Sequence, residues 1–279
     1  MLMNVVVIGN DVLEVREGAP MQSVAGAGVV VTGGGSGIGA ALARRFAAEG
    51  ARVVVNDLNA GAAAQVAQSC GGTAAPGDAA SEDGVAALVA AARDVLGEID
   101  LFCANVGVAR GEPPGLGTEA DWAACWQVNV MAHVRAARLL LPRWLERSNG
   151  HLICTVSAAG LLTMLGAAPY SATKHAALAF AEWLAASYAH RGITVQALCP
   201  MGVRTAMLDG TSPAAEIILG DTAITAEEVA GAVIAGIAAG SFLILPHPDV
   251  ARMYAGRATD TDRWLRGMNK LQLRVEAAG

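Results

Sequence analysis

The chain has 279 residues, 54% of them hydrophobic, and a formal net charge of −6 from 19 basic and 25 acidic side chains. That length and apolar content suit one α/β domain with an ample core, and the acidic balance argues against a general nucleic-acid or anionic-membrane surface. Its five cysteines, Cys70, Cys103, Cys125, Cys154 and Cys199, are widely spaced with no Cys-x-x-Cys, so they read as small core residues of a cytoplasmic protein, with no metal site and no bridges.

Residues 1–26 form an N-terminal extension. Asn4 to Ile8, Gly9-Asn10 and Asp11 to Val15 predict a β-hairpin with a two-residue turn. No basic residue precedes Arg16, so no secretory signal is expected. Val29-Val30-Val31 then has the β-branched character of a buried parallel strand. Five of the seven residues after Thr32 are glycines, spaced Gly33-x3-Gly37-x-Gly39, and helix formers follow from Ala40 to Phe46. A glycine turn between strand and helix lets the backbone approach a pyrophosphate, to which the helix N-terminus offers unpaired N–H groups.

Ala51 to Asp57 is a second buried strand ending in an acid, 18 residues past Gly39. An acid there is placed to bond a ribose 2′-hydroxyl. A helix N-cap is the rival role for Asp57. Neither Ser36 nor Leu58 supplies the base that a 2′-phosphate would want, so the expected cofactor is NAD, not NADP. Helices at 60–69 and 81–96 alternate with strands at 73–76 and 99–104. This order predicts a doubly wound, Rossmann-like parallel sheet of about seven strands with helices on both faces. Ligands of such sheets bind beyond the strand carboxyl ends, where the strand order reverses. Thr32, Asp57, Asp78 and Asn105 all fall there, although Gly77-Asp78 also reads as a plain turn.

Val106 to Gly117, with Pro113-Pro114, is a loop, and Glu119 to Arg147 is helical, with Pro142 expected to kink or end it. Asn129 interrupts the apolar run around it, as a poor helix former that either faces water or has a task. A strand over 151–156 ends at Ser157. Pro169 opens a helix that carries Tyr170 and Lys174 at i and i+4, on one face. A free phenol has a pKa of about 10. A lysine ammonium some 4 Å away at an effective dielectric near 20 contributes roughly 4 kcal/mol, about three pK units towards deprotonation. Tyr170 could then exchange protons near neutrality while Ser157 holds a substrate oxygen and Lys174 a ribose hydroxyl. This is the chemistry of alcohol–carbonyl interconversion coupled to hydride transfer.

With Thr32 to Gly39, Asp57, Asp78, Asn105-Val106-Gly107, Asn129, Ser157, Tyr170 to Lys174 and Pro200 to Thr205, the chain resembles the short-chain dehydrogenase/reductase family over about residues 26–246. The resemblance implies catalytic Ser157, Tyr170 and Lys174, with Asn129 holding a water that relays protons to Lys174. It implies a cofactor site of Gly33, Ser36, Gly37, Ile38, Gly39, Asp57, Leu58, Asp78, Ala79, Asn105, Tyr170, Lys174, Pro200, Val203 and Thr205. It also suggests a homotetramer. Two positions depart from the family pattern: Ala104 replaces the first asparagine of Asn-Asn-Ala-Gly, and Met201 replaces the glycine after Pro200.

Strands at 193–198 and 242–245 and a helix over 227–239 complete a catalytic domain at 27–246. The loop from 200 to 224, with Met207, Leu208 and Pro213, is expected to cover the substrate. Residues 247–279 form a basic tail with an amphipathic helix from about Asp260 to Val275. The uncharged stretches Leu152 to Thr173 and Val229 to Leu245 are broken by glycines and prolines, so no membrane span is expected. Ala158 to Ala168, with Leu161, Leu162 and Met164, reads as an apolar pocket wall. The expected activity is NAD-dependent oxidation of a hydrophobic secondary alcohol or reduction of its ketone. Two alternatives are an NAD-binding regulator without turnover and a non-redox isomerase or dehalogenase on the same scaffold.

Overall fold

The computed structural model describes residues 4–8, 11–15, 21, 23–111, 115–209 and 222–278. Gly9-Asn10, Pro113-Pro114 and Pro213 lie outside the described residues. Strands β1 (Asn4–Ile8) and β2 (Asp11–Val15) pair antiparallel with Ile8 opposite Asp11. A seven-stranded sheet follows. In spatial order it runs β5 (Thr73–Ala74), β4 (Arg52–Val55), β3 (Gly28–Val31), β6 (Leu101–Ala104), β7 (Gly150–Thr155), β8 (Ile193–Leu198), β9 (Leu243–Ile244), with every neighbouring pair parallel. Strand order reverses at β3, which lies between β4 and β6, so the C-terminal ends of β3 and β6 form the crevice where such sheets bind ligands.

Strand side chains alternate between two cores. Val30, Val54, Phe102, Leu152 and Val195 face one side, with α3 (Glu82–Leu96), α5 (Ala132–Glu146) and α6 (Ala168–Tyr188). Val29, Val31, Val53, Leu101 and Ile153 face the other, with α1 (Gly37–Ala48), α2 (Ala60–Cys70) and α8 (Ala226–Ala239). Both sheet faces are therefore covered, as continuous β-branched strands require. Among the described residues no helix is long and apolar enough to cross a membrane.

Three helix expectations change. The stretch from Glu119 is not one helix: α4 (Glu119–Trp126) passes through a π turn (Gln127–Met131) into α5. Pro142 does not end α5, because buried Leu140 and Trp144 hold the helix on the sheet and the Trp144 indole donates to the Ile99 carbonyl at 2.7 Å. The tail has two helices, α9 (Asp249–Thr259) and α10 (Thr261–Ala278), joined where the Asp260 side chain accepts from Arg263 N at 2.8 Å. A four-residue helix, α7 (Ala206–Asp209), follows β8.

Candidate active site

The glycine turn is built for close approach. Gly33 and Gly37 adopt φ of +61° and +49°, and a Cβ on Gly39 would lie 2.1 Å from the Gly33 carbonyl. Thr32 ties β3 to β6, its hydroxyl donating to the Cys103 carbonyl at 3.1 Å and accepting from Asn105 N at 2.9 Å. The Asn105 amide donates to the Thr32 and Gly33 carbonyls at 3.0 and 3.4 Å, and its oxygen accepts from the Thr155 hydroxyl at 3.0 Å. Asn105 therefore shapes the turn with its whole side chain. Exposed Ser36 makes no side-chain cap bond and no acid occupies the first turn of α1, where Ile38 is half-buried. That helix end is open to an anion. Thr205 arrives from the far side of the crevice, its methyl 3.0 Å from where a Gly37 Cβ would stand.

Asp57 follows the tip of β4. Its two carboxylate oxygens accept from Gly35 N and Asn59 N, both at 2.9 Å. The cap of α2 is Asn59, which accepts from Ala62 N at 3.1 Å, so the N-cap role does not fall to Asp57. Each Asp57 oxygen keeps a lone pair for a hydroxyl donor. Leu58 beside it is 77% exposed. Asp78 is exposed and accepts from Ala80 N at 2.9 Å, in the manner of a turn aspartate, with Ala79 buried behind it. Pro200 and Val203 are buried at the end of β8.

Ser157 leaves β7 at φ +152°, ψ 157°, a region that non-glycine residues enter at a cost of roughly 1–3 kcal/mol. Its hydroxyl accepts from Ala159 N at 3.1 Å and donates to the Pro200 carbonyl at 3.4 Å. Tyr170 and Lys174 rise from the first turns of α6, and the Lys174 Nζ sits 5.6 Å from the Tyr170 ring centroid. Lys174 is 3% exposed and donates to the Thr155 carbonyl at 2.9 Å. Burial lowers its pKa to about 8. Asn129 sits in the π turn, fully buried, bonding both backbone groups of Val108 at 2.9 Å and the Thr173 hydroxyl at 3.1 Å. It reaches the same pocket: a Cβ on Gly107 would be 3.4 Å from Lys174 Nζ and 3.6 Å from Asn129 Oδ1.

Two expectations are corrected here. The Tyr170 phenol is raised above its ordinary value, not lowered; burial dominates, and the facing Ser157 side chain opposes it only in part. Leu161 and Leu162 are 1% and 7% exposed and pack into the core, so the outward part of that segment is exposed Thr163 with half-buried Met164 and Leu165. Arg110 and Arg204 are exposed. The sequence reading missed Thr155, whose carbonyl holds Lys174, because backbone acceptors leave no sequence signal. It also missed His247, which accepts from Met201 N and donates to the Gly202 carbonyl, both at 3.1 Å. Its only trace in the sequence is a single histidine just past the last strand.

The glycine cradle, the open helix end and the fixed Asp57 carboxylate together fit a dinucleotide, and Tyr170, Ser157 and Lys174 meet at its far end. The chain is also similar to known proteins. A family model described as short chain dehydrogenase matches residues 27–216. The chain is 39% identical over 229 residues to the 1-deoxy-11-beta-hydroxypentalenate dehydrogenase of Streptomyces exfoliatus, covering 79% of this chain and 82% of that one. A crystal structure of a short-chain dehydrogenase/reductase from Burkholderia phymatum in complex with NAD superposes with a TM-score of 0.78 at 29% identity, covering 86% of this chain and 95% of the other. A 3-ketoacyl-(acyl-carrier-protein) reductase from Brucella melitensis complexed with NADH gives a TM-score of 0.72 at 26% identity, covering 80% and 96%.

Proposed function

This chain belongs to the short-chain dehydrogenase/reductase family, and we propose that it is an NAD-dependent oxidoreductase that interconverts a hydrophobic secondary alcohol and its ketone, with Tyr170 as general acid/base. The observation that carries the reading is the convergence of Ser157, Tyr170 and buried Lys174 beyond the carboxyl ends of the strands, at the end of a glycine cradle. Bound NAD supplies the hydride acceptor and, when oxidised, a positive charge. The rest is done by side chains of this chain. Ser157 holds the substrate oxygen. Tyr170, whose pKa desolvation raises, gives its proton as the phenol to a carbonyl oxygen in the reductive direction and, as the phenolate, takes one from an alcohol in the oxidative direction. Lys174 is mostly ammonium below pH 8 and favours the phenolate when the proton leaves.

Asp57 supports NAD over NADP, because a carboxylate held by two backbone amides repels a 2′-phosphate. The NAD and NADH complexes of the two structural relatives agree with that choice. A hydrophobic substrate is supported by Met207, 47% exposed on α7, and by half-buried Met164, Leu165 and Leu208. The same reading makes the protein a cytoplasmic homotetramer, supported by the exposed Trp122, Trp126 and Trp183 of α4 and α6, which a second copy would cover.

The test is NADH absorbance with NAD or NADP and a panel of hydrophobic secondary alcohols. Wild type is expected to turn over with NAD, and Tyr170→Phe to lose about 10²–10⁴-fold in kcat while still binding NAD. Preference for NADP would overturn the reading of Asp57. Tight NAD binding without turnover across the panel would favour a regulator.

A further inference from the structure

The chain beyond the family match turns back onto the site. Arg257 on α9 reaches the segment that joins Ser157 to Tyr170. Its Nη1 donates to the Leu161 carbonyl, to the Leu162 carbonyl at 3.4 Å and to His175 Nε2 at 2.9 Å. A guanidinium only donates, so His175 Nε2 accepts and its Nδ1 carries the proton. That proton goes to the Ser171 carbonyl at 2.9 Å. Ser171 in turn holds the other end of the segment: its hydroxyl accepts from Met164 N at 2.9 Å and donates to the Met164 carbonyl at 3.0 Å. Residues 161–164 are therefore clamped between the tail and α6. The clamp backs directly onto the catalytic helix, because His175 follows Lys174 and a Cβ on Gly160 would lie 2.6 Å from the Lys174 carbonyl.

Arg257 is itself held in place. Val250 at the start of α9 is fully buried, and Met253, Tyr254 and Trp264 pack against the same core as Leu161 and Leu162. With those two leucines facing inward, Thr163 is left exposed and Met164 and Leu165 half-buried on the outer side of the segment. Their position follows from where the Leu161 and Leu162 carbonyls are held.

Resting on the function proposed above, we propose that Arg257 is a positioning residue that sets the substrate-side wall 161–165 and thereby the fit of the alcohol, without touching the cofactor. The test compares wild type, Arg257→Ala and Arg257→Lys by steady-state kinetics on secondary alcohols of increasing bulk, by NAD titration, and by amide hydrogen exchange over 160–165. Arg257→Ala is expected to raise KM for the bulkier alcohols about 10-fold or more with kcat nearly unchanged, as loss of substrate positioning predicts. NAD affinity stays at the wild-type value and exchange over 160–165 speeds up. Arg257→Lys, which keeps the charge on a shorter side chain without the planar guanidinium, recovers part of the KM. A uniform loss of kcat and NAD affinity would overturn the proposal, and so would wild-type KM values across the series. If wild type turns over no alcohol or ketone, the functional reading fails and exchange alone decides: faster exchange in Arg257→Ala keeps the positioning role, and unchanged exchange removes it.

Discussion

Lys174, to which the proposed function gives a catalytic role, is held in the fold at a cost in stability. It is buried with one hydrogen bond, to Thr155, and its pKa falls from 10.5 to about 8. Between those values the unfolded chain binds more protons than the folded one, so stability rises with pH across that window. The penalty for burying the charge is complete below about pH 8. Lys174→Met is therefore expected to abolish turnover yet gain about 1–2 kcal/mol at pH 7, the desolvation relief less the lost hydrogen bond. The gain disappears as pH approaches 10.5. Urea melts at pH 7 and pH 10.5 check this, and a variant less stable than wild type at pH 7 refutes it. The same residue marks what was legible. The i, i+4 spacing of Tyr170 and Lys174 is local and readable. The direction of the Tyr170 shift was not, because a charge-pair estimate assumes a solvated phenol beside a fixed ammonium, whereas the fold buries Lys174 and partly desolvates Tyr170.

At the scale of elements, the π turn at Gln127–Met131 has a cause that the sequence only hints at. The wider turn lets Asn129 point inward, where it bonds Val108 N, the Val108 carbonyl and Thr173. Asn129→Ala leaves both Val108 backbone groups without that partner. It should destabilise the protein by about 2 kcal/mol, within the range for abandoned polar groups, and speed exchange at the Val108 amide. Stability within about 0.5 kcal/mol of wild type, the range of neutral surface changes, would contradict this role. A poor helix former in an apolar run was visible beforehand, but its partner was not, because Val108 lies 21 residues away in a loop. The strands read well for the opposite reason: their β-branched runs and the glycine turn are local signals. The tail read poorly because α9 is fixed by Val250 and by Arg257, whose partners Leu161 and His175 stand far off in sequence.

For the whole molecule, the decisive titrations are three histidines kept neutral inside. His133 is fully buried on α5, and neither ring nitrogen makes a hydrogen bond of normal geometry, although the Ala104 backbone stands nearby; burial and then the Lys174 charge push its pKa down to about 3. His151, bonded to Gln196 at 2.9 Å, is lowered to about 4 by burial. His247 is lowered by burial as well, and its Nδ1 must stay unprotonated to accept from Met201 N. A histidine with a depressed folded pKa contributes its full stability above the unfolded value near 6.5 and loses it as pH falls. Each one then costs up to about 1.4 kcal/mol per pH unit until its folded pKa is reached. Two such groups over 1.5 units amount to roughly 4 kcal/mol, a large share of a typical 5–15 kcal/mol total. The carboxylates held low, Glu98, Asp121 and Glu228, add their losses only near and below their ordinary range. The fall between pH 6.5 and 5 therefore belongs to the histidines. Urea midpoints should drop steeply across that interval, and His133→Leu should reduce the slope by about 1.4 kcal/mol per pH unit while raising stability at neutral pH, since it removes two poorly satisfied buried nitrogens. Midpoints that stay flat from pH 7 to pH 5 would show that these rings are not held neutral by the fold.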